Sequence, residues 1–110
     1  MFDKTEKAGR RPLDGVRVLD FSRVLAGPYC TAMMADLGAE VIKVEPPTGD
    51  DYRHIGPFKG GESLLFQSVN RGKKSITVDI SRPEGQELIR KLAAVSDVVI
   101  ENYKVGDLKR

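Results

Sequence analysis

Hydrophobic and polar positions alternate along the chain in a way that predicts strands separated by helices. Two short segments with apolar, β-branched centres, Gly15–Phe21 and Glu40–Glu45, are typical of strands. Between them, apolar residues recur at the i, i+3, i+4 and i+7 spacing of one helix face, namely Cys30, Met33, Met34 and Leu37. Pro28 lies just inside the predicted start of this helix and Gly38 just past its end. Residues 12–47 are therefore predicted to form one βαβ unit.

The rest of the chain continues this alternation after a long connection. Residues 46–63 are rich in Gly, Pro and charge and exceed the usual connection of about 4–6 residues, which is common for functional loops. Residues 64–69 fit either a short helix or a strand. Lys74–Ile80 alternates with β-branched residues and is predicted to be a third strand, and Asp97–Glu101 is predicted to be a fourth.

A second helix is predicted to begin at Ser81. The S-x-x-E pattern from Ser81 to Glu84 is that of a capping box, in which both side chains accept hydrogen bonds from backbone amides, and Pro83 falls in the first turn. The inner face of this helix is predicted to be apolar and formed by Leu88, Leu92 and Val95.

The alternating elements predict an α/β fold with a Rossmann-like, mainly parallel sheet and crossover helices. Ligands of such sheets bind at the carboxyl ends of the strands. Here those ends fall near residues 22–26, 45–46, 80–81 and 102–104. We therefore expect any binding site to be assembled from these segments.

Composition narrows the class of protein. The chain has 110 residues, of which 40% are hydrophobic, and this suits one domain with a buried core. Its formal net charge of +2 arises from mixed charges, so nucleic acid is not an expected partner. The single cysteine, Cys30, excludes a disulfide framework and a cysteine-based metal cluster, and favours a reducing, cytoplasmic compartment.

The first eleven residues are predicted to be a flexible leader. They lack the apolar core of a signal peptide, and they include Asp3 and Glu6, which mitochondrial presequences usually avoid. No apolar run approaches the roughly 20 residues that span a bilayer, so we expect no membrane association.

Several stretches, in the same order and nearly without gaps, resemble one protein family. They are LDGVRVLDFSRVLAGPYCTAMMADLGAEVIKVEPP, GDDYRHIGP, FQSVNRGKKSITVDISRPEGQELIRKL and SDVVIENYKVGDLKR, which together extend over residues 12–110. Their sequences are similar to the amino-terminal region of the class III CoA-transferases, the CaiB/BaiF-type family. Members of that family are several times longer, so residues 12–110 are expected to be the truncated amino-terminal part of a CoA-binding Rossmann-like domain.

The resemblance implies a coenzyme A site at the carboxyl ends of the strands. It assigns Leu25 and Ala26 to the thiol end of CoA, Val78, Asp79, Ile80 and Ser81 to its adenine, and Asn102, Tyr103, Lys104 and Arg110 to its pantetheine and phosphates. Cationic side chains suit the diphosphate and 3′-phosphate of CoA. Members that use formyl- or oxalyl-CoA carry a glutamine in place of Leu25 and an arginine in place of Pro46, which argues against oxalate chemistry.

The residues alone leave other interpretations open. The turn at 22–28 could hold an anion at a helix start or be only a well-capped turn. Val78 and Ile80 fit a strand core as well as an adenine platform, and Lys104 and Arg110 fit solvated surface cations. In the long connection, Asp50 and its neighbours lack metal-ligand spacing, and we predict an Asp51–Arg53 ion pair with an exposed His54. Arg71, Lys73 and Lys74 are predicted to lie in a solvated turn.

The resemblance also implies a reaction that moves CoA from an acyl-CoA to a carboxylic acid. In the family an aspartate attacks the acyl-CoA carbonyl to form a mixed anhydride, the CoA thiolate attacks that anhydride, and the acceptor carboxylate finally takes over CoA. That aspartate belongs to sequence beyond Arg110, so no residue of this chain is assigned a catalytic role. The chain is expected to be inactive by itself, and the whole protein to be an interlocked homodimer.

Two alternatives remain. One is a 2-methylacyl-CoA racemase of the same fold, although the AGP-C-x-MM and GDDYR-x-x-GP segments are closer to the transferases. The other is a non-catalytic nucleotide-binding module, although neither a G-x-G-x-x-G nor a P-loop motif follows the first strand. The segments around VNRGKKSITVDIS and ENYKVGDLKR are similar to those of transferases that act on dicarboxylates such as succinate.

Overall fold

The computed structural model describes residues 11–103, so the predicted leader lies almost wholly outside the described residues. In chain order the elements are β1 (Arg17–Asp20), α1 (Ala26–Asp36), β2 (Glu40–Glu45), a 3₁₀ turn (Asp51–His54), β3 (Phe58–Lys59), β4 (Glu62–Ser63), α2 (Leu64–Asn70), β5 (Lys74–Thr77), α3 (Pro83–Ala94) and β6 (Val98–Ile100).

The main sheet has four parallel strands in the order β5-β2-β1-β6. Leu19 lies opposite Ile42 on β2 and opposite Val99 on β6, which fixes the register of the central strand. Parallel strands need crossover connections, here through α1 between β1 and β2, through α2 between β2 and β5, and through α3 between β5 and β6. The predicted mainly parallel α/β sheet is confirmed, and all four predicted strands are present: β2 has the predicted bounds, and the other three are shorter.

The core lies on both faces of this sheet. Val18 packs with Val41 and Ala39 on the side covered by α1, whereas Leu19 packs with Val44 on the side covered by α3. Successive residues of a strand face opposite ways, so β1 supplies both sides of a three-layer arrangement. Such double coverage explains why the adjacent residues Val18 and Leu19 of β1 are both apolar and both fully buried.

The predicted inner face of α1 is wrong. The buried residues of the helix are Pro28, Thr31 and Ala32. Of the predicted set, Met34 packs on the core, but Cys30, Met33 and Leu37 are exposed. Small residues let the helix approach the sheet closely, and the Thr31 hydroxyl donates to the buried carboxylate of Asp20 at 2.6 Å. Burial in this helix therefore follows side-chain size and hydrogen bonding more than hydrophobicity.

The predicted capping box of α3 is also absent. The helix begins at Pro83 after an Arg82 cap whose side chain makes no capping hydrogen bond. The Ser81 hydroxyl instead donates to Asp79 Oδ1 at 2.5 Å, and Glu84 pairs with Arg82 at 3.6 Å. The fixed φ of a proline at the first helical position stabilises this start without a serine cap.

The inner face of α3 is shifted from the predicted one. Ile89, Leu92 and Ala93 pack against the core, so Leu92 is confirmed. Leu88 is 46% exposed and Val95 is 59% exposed, which makes the predicted assignment of these two wrong. The helix is therefore rotated so that Ile89 and Ala93, rather than Leu88 and Val95, face the sheet together with Leu92.

The long connection has structure of its own. After β2 the chain forms the 3₁₀ turn, which Asp50 caps by accepting from Tyr52 N at 2.9 Å. A two-stranded hairpin of β3 and β4 follows. Residues 64–69, which the sequence left open, lie in α2, and Ser63 caps this helix by accepting from Phe66 N at 3.2 Å.

Candidate functional site

All four strands of the main sheet end at one edge, as the sequence predicted. We call this region the carboxyl edge; it comprises residues 21–25 after β1, 46–50 after β2, 78–82 after β5 and 101–103 after β6. Because β1 lies between β2 and β6, its following segment is flanked by the segments of both neighbours. Parallel sheets bind ligands at this edge.

Side chains of other segments hold the turn between β1 and α1. Asp20 Oδ1 accepts from the backbone N of Ser22 at 2.8 Å and from its hydroxyl. Lys43 Nζ donates to the carbonyl oxygen of Ser22 at 3.0 Å. Asn102 accepts from Arg23 N at 3.1 Å through Oδ1 and donates to Arg23 O at 2.9 Å through Nδ2. The backbone of the turn is thereby satisfied by side chains.

The residues after this clamp present the candidate ligand surface. Val24 has a φ of +73°, a left-handed conformation that β-branched residues rarely adopt. Leu25 and Ala26, which the family resemblance assigned to the thiol end of CoA, follow it, and Leu25 is 52% exposed. A Cβ at Gly27 would overlap the side chain of Ser22, so only glycine permits this close approach of helix and turn.

Two buried ion pairs lie beneath the edge. Lys43 Nζ is 2.9 Å from Asp50 Oδ2, and both side chains are at most 1% exposed. Lys73 Nζ is 3.1 Å from Asp20 Oδ2, and it also donates to the side chain of Asn70 at 2.8 Å. Burial lowers the pKa of Lys73, although the attraction of Asp20 opposes this shift. The Lys73 pair ties β1 to a residue 53 positions further along the chain, whereas the Lys43 pair ties β2 to the connection that directly follows it.

The sequence pattern predicts neither of these pairs. The prediction that Lys73 lies in a solvated turn is wrong, because its side chain is 2% exposed and buried charges need a partner. Of the same predicted turn, Arg71 and Lys74 are exposed and pair with Asp36 and Glu40. A signal for Lys43 existed, since a lysine amid the apolar residues of a central parallel strand predicts a buried partner.

A third pair fastens the long connection to β2. Arg53 donates to both carboxylate oxygens of Glu45 at 2.7 Å, and Ser75 Oγ donates to Oε2 at 2.5 Å. The predicted partner of Arg53, Asp51, is therefore wrong, whereas the predicted exposure of His54 is confirmed. Burial acts to raise the pKa of Glu45, but hydrogen bonds from Arg53, Ser75 and the backbone of residue 50 outweigh it and lower the pKa to about 2.

The segment after β5 divides into buried and polar parts. Val78 is buried in the core beside Leu19, which supports the core interpretation of this residue. Asp79 accepts from Ser81 N at 3.0 Å, and hydrogen bonds from Ser81 lower the pKa of Asp79. A Cβ at Gly85 would overlap the carbonyl oxygen of Asp79, so α3 starts in direct contact with this turn.

The segment after β6 lies against the turn after β1. Tyr103 packs on the core cluster that contains Val78, and burial raises the pKa of its hydroxyl. The guanidinium of Arg23 lies 4.9 Å from the centroid of the Tyr103 ring. Lys104 and Arg110, also assigned to CoA, lie outside the described residues.

The structure thus brings some of the predicted site residues together. The segment with Leu25 and Ala26 adjoins that with Asn102 and Tyr103 through the Arg23 contacts. Residues 78–81, which were assigned to adenine, follow the outer strand β5. In the sheet, β5 lies two positions from β1 and three positions from β6. Val78 and Ile80 of this segment pack in the same hydrophobic cluster as Tyr103. An elongated ligand would be needed to contact both groups.

Other classes of site have little support in the described part of the chain. Residues 11–103 contain no group of three or more His, Cys, Asp or Glu side chains able to hold a metal ion. Within the same residues no helix combines the length and apolar character needed to cross a membrane.

The chain matches one family model and is similar to known proteins. Residues 13–110 match the model of CoA-transferase family III. The chain is 58% identical over 100 residues to the succinyl-CoA:glutarate CoA-transferase of Homo sapiens, covering 89% of this chain and 23% of that protein. It is 48% identical over 103 residues to the succinyl-CoA:mesaconate CoA-transferase of Haloarcula hispanica, covering 89% of this chain and 26% of that protein.

A solved structure gives the same result. The crystal structure of a CaiB/BaiF family protein from Brucella suis superposes with a TM-score of 0.86 at 50% sequence identity, covering 91% of this chain and 28% of that one. The chain therefore spans about a quarter of the length of the curated relatives that it matches, and the match lies in their amino-terminal part.

Proposed function

The chain belongs to CoA-transferase family III, and on that premise we propose that it forms the amino-terminal part of a CoA-transferase, in which it binds the CoA of an acyl-CoA substrate. The observation that carries this proposal is the family match over residues 13–110 together with the assembly of the matched segments at the carboxyl edge. In this role CoA is a substrate, and no metal is required.

The carboxyl edge suits different parts of CoA at different segments. The exposed turn at Leu25 and Ala26 would receive the thin, uncharged end that carries the thiol. Asp79 and Ser81 offer oxygen acceptors to an adenine amine or ribose hydroxyl, beside the apolar side chains of Val78 and Ile80. Asn102 and Tyr103 would lie along the pantetheine, and Lys104 and Arg110 would pair with phosphates.

The proposed reaction moves CoA from an acyl-CoA to a carboxylic acid through a carboxylate nucleophile. Attack of an aspartate on the thioester carbonyl forms an acyl-aspartyl anhydride and releases the CoA thiolate. The thiolate then attacks the aspartyl carbonyl of the anhydride, which releases the donor carboxylate and leaves an aspartyl-CoA thioester. The acceptor carboxylate attacks this thioester to form a second anhydride, and the released thiolate takes the acceptor acyl group, which gives the new acyl-CoA and frees the aspartate. We place that aspartate outside residues 1–110. Asp20 and Asp50 are unsuitable because they are fully buried and paired with lysines.

Dicarboxylates are the favoured substrate class. The names of similar proteins include succinyl-CoA with glutarate and succinyl-CoA with mesaconate, which are all dicarboxylates or their thioesters. We further propose a cytoplasmic enzyme that is a homodimer when complete, as the family resemblance implies.

Binding is tested by a two-dimensional amide NMR titration of the 110-residue chain with CoA. The proposal expects saturable shifts at residues 25–27, 78–81 and 102–104, and adenosine, which lacks both the phosphates and the pantetheine, should shift only the second group. Dispersed spectra that do not change with CoA would refute a site formed by this chain.

Activity is tested in a chimera in which residues 13–110 replace the matching stretch of the human succinyl-CoA:glutarate CoA-transferase. Because identity is 58% over 100 residues, we expect the chimera to fold and to transfer CoA from succinyl-CoA to glutarate. The unaltered human enzyme is the control. A chimera that melts cooperatively like the human enzyme but does not exchange CoA would contradict the proposed function.

A further inference from the structure

Val24 stands out because its backbone conformation is unfavourable for its side chain. Its φ of +73° places a β-branched residue in the left-handed region, where only Gly, Asn and Asp occur with any frequency. Such strain persists only where the surrounding structure imposes it. Val24 directly precedes Leu25, whose carbonyl oxygen accepts from Tyr29 N at 2.8 Å in the first turn of α1. The conformation of Val24 therefore sets where Leu25 and the start of α1 lie.

The Asn102 side chain forms hydrogen bonds with both backbone polar groups of Arg23, the residue before Val24. The ladder between β1 and β6 ends where Phe21 N donates to Ile100 O at 2.8 Å. Beyond it, Asn102 accepts from Arg23 N and donates to Arg23 O, as a neighbouring strand would. The amide thus continues the pairing beyond the end of the strand. Its two polar groups are both engaged with protein backbone.

Other contacts at the turn act one residue further away. Lys43 and Asp20 hold the backbone of Ser22, and the hydrogen bonds of these two side chains do not extend to Arg23 or Val24. Stacking of Arg23 on Tyr103 orients a side chain but leaves the backbone free to rotate. Asn102 is thus the side chain of the described residues placed to oppose relaxation of Val24 to a negative φ.

We propose that Asn102 is a positioning residue that holds Val24 in its left-handed conformation and so fixes the Leu25–Gly27 segment for the thiol end of CoA. The positioning of this segment for CoA rests on the proposed function, whereas the restraint of Val24 by Asn102 rests only on the geometry of the turn. Asn102 then contributes to binding through the backbone of Arg23 rather than by a hydrogen bond from its own amide to CoA.

The test is a double-mutant cycle of Asn102→Ala and Val24→Gly in the 110-residue chain. Asn102 is exposed, so its replacement removes no core contact. Glycine adopts a positive φ without strain, so Val24→Gly allows the turn to keep its conformation without the clamp. Glu101→Gln is the matched control, since it changes the adjacent exposed side chain and retains an acceptor for Tyr103 N. Backbone chemical shifts report the sign of φ at residue 24, and calorimetry with CoA reports affinity.

We expect Asn102→Ala to turn φ at Val24 negative and to weaken CoA binding about tenfold, as when the competent turn is populated about a tenth of the time. Val24→Gly alone should leave affinity within about threefold, and in its presence Asn102→Ala should also cost less than about threefold. Glu101→Gln should change neither the sign of φ at residue 24 nor the affinity for CoA.

Two results would overturn the inference. A positive φ at Val24 in the Asn102→Ala variant would show that the clamp does not impose it. An equal loss of CoA affinity from Asn102→Ala with and without Val24→Gly would show that Asn102 contacts the ligand directly. If the unaltered chain does not bind CoA, the proposed function fails instead, and the sign of φ in Asn102→Ala still decides the clamp.

Discussion

Replacing Glu45 by glutamine tests whether the polar network at the end of β2 stabilises the fold as its geometry implies. The Glu45 side chain is 4% exposed and accepts from Arg53, Ser75 and the backbone N of Asp50. Glutamine keeps the volume but loses the charge, and its amide group would face donors where the carboxylate offered only acceptors. The change therefore removes the ion pair without opening a cavity.

The magnitude follows from the pKa of Glu45, which is about 2 rather than 4.5. At about 1.4 kcal/mol per pKa unit this difference corresponds to about 3.4 kcal/mol of stabilisation at neutral pH. Since the Arg53 side chain is 39% exposed, water weakens its share, and we expect the free energy of unfolding to fall by about 2 kcal/mol. Because the folded pKa is depressed, this stabilisation is complete above about pH 5 and disappears as the pH falls through 4.5 towards 2.

Urea unfolding of the original chain and of Glu45→Gln at neutral pH and near pH 3 provides the measurement. The difference in unfolding free energy at the lower pH should be less than half of that at neutral pH. Glu40→Gln is the matched control at the other end of the same strand. Hydrogen bonds from Lys74 and Arg17 hold the pKa of Glu40 at about 2, but this pair is solvated, so its effect should be smaller and vanish in about 1 M salt. An undiminished difference near pH 3 would refute the reasoning.

Further predictions concern the buried pairs, a close approach and the exposed thiol. Lys73→Met should lower the free energy of unfolding in urea by about 3–5 kcal/mol, because it leaves the buried carboxylate of Asp20 without its ammonium partner. A loss no larger than that caused by Lys74→Met, at the exposed neighbouring lysine, would contradict this. Gly85→Ala should lower stability by about 1–3 kcal/mol, since a Cβ there overlaps the Asp79 carbonyl oxygen, and an unchanged melting temperature would be inconsistent with that contact. In the folded chain, Cys30 should react with a water-soluble thiol reagent at a rate within about tenfold of its rate in the unfolded chain. A much slower reaction in the folded chain would show that the thiol is buried.

The fold could largely be predicted because strands buried on both faces have a simple sequence pattern. The apolar centres of β1 and β2 gave their positions, and the alternation with helices gave the parallel order. The inward face of α1 could not be predicted in the same way, because Thr31 and Ala32 are buried by their small size and by the hydrogen bond to Asp20. The predicted helix α3 begins at Pro83 within the expected first turn, but its predicted capping box was wrong because Ser81 forms a turn with Asp79 rather than a cap.

The candidate site was predictable in its location but not in its internal contacts. The carboxyl ends of parallel strands must meet at one edge, so the segments with Leu25 and Asn102 were expected near each other. The pair of Lys73 with Asp20 joins residues 53 positions apart, and no local pattern at either residue names the other. Such pairings become visible only when the sheet order brings β1 beside the connection that leads to β5.

The contacts at the carboxyl edge separate residues that hold the loops from residues that face outward. The charged side chains nearest the strand ends, such as Lys43 and Glu45, are buried and bound to backbone or to opposite charges. The outward surface at the turn includes apolar side chains such as Leu25 together with the exposed Arg23, which lies over the Tyr103 ring. Loss of a buried charge should therefore reduce stability first and CoA affinity only through unfolding, whereas Asn102→Ala should reduce affinity in a chain that stays folded. Measuring both quantities in each variant distinguishes a residue that positions the turn from one that merely holds the sheet together.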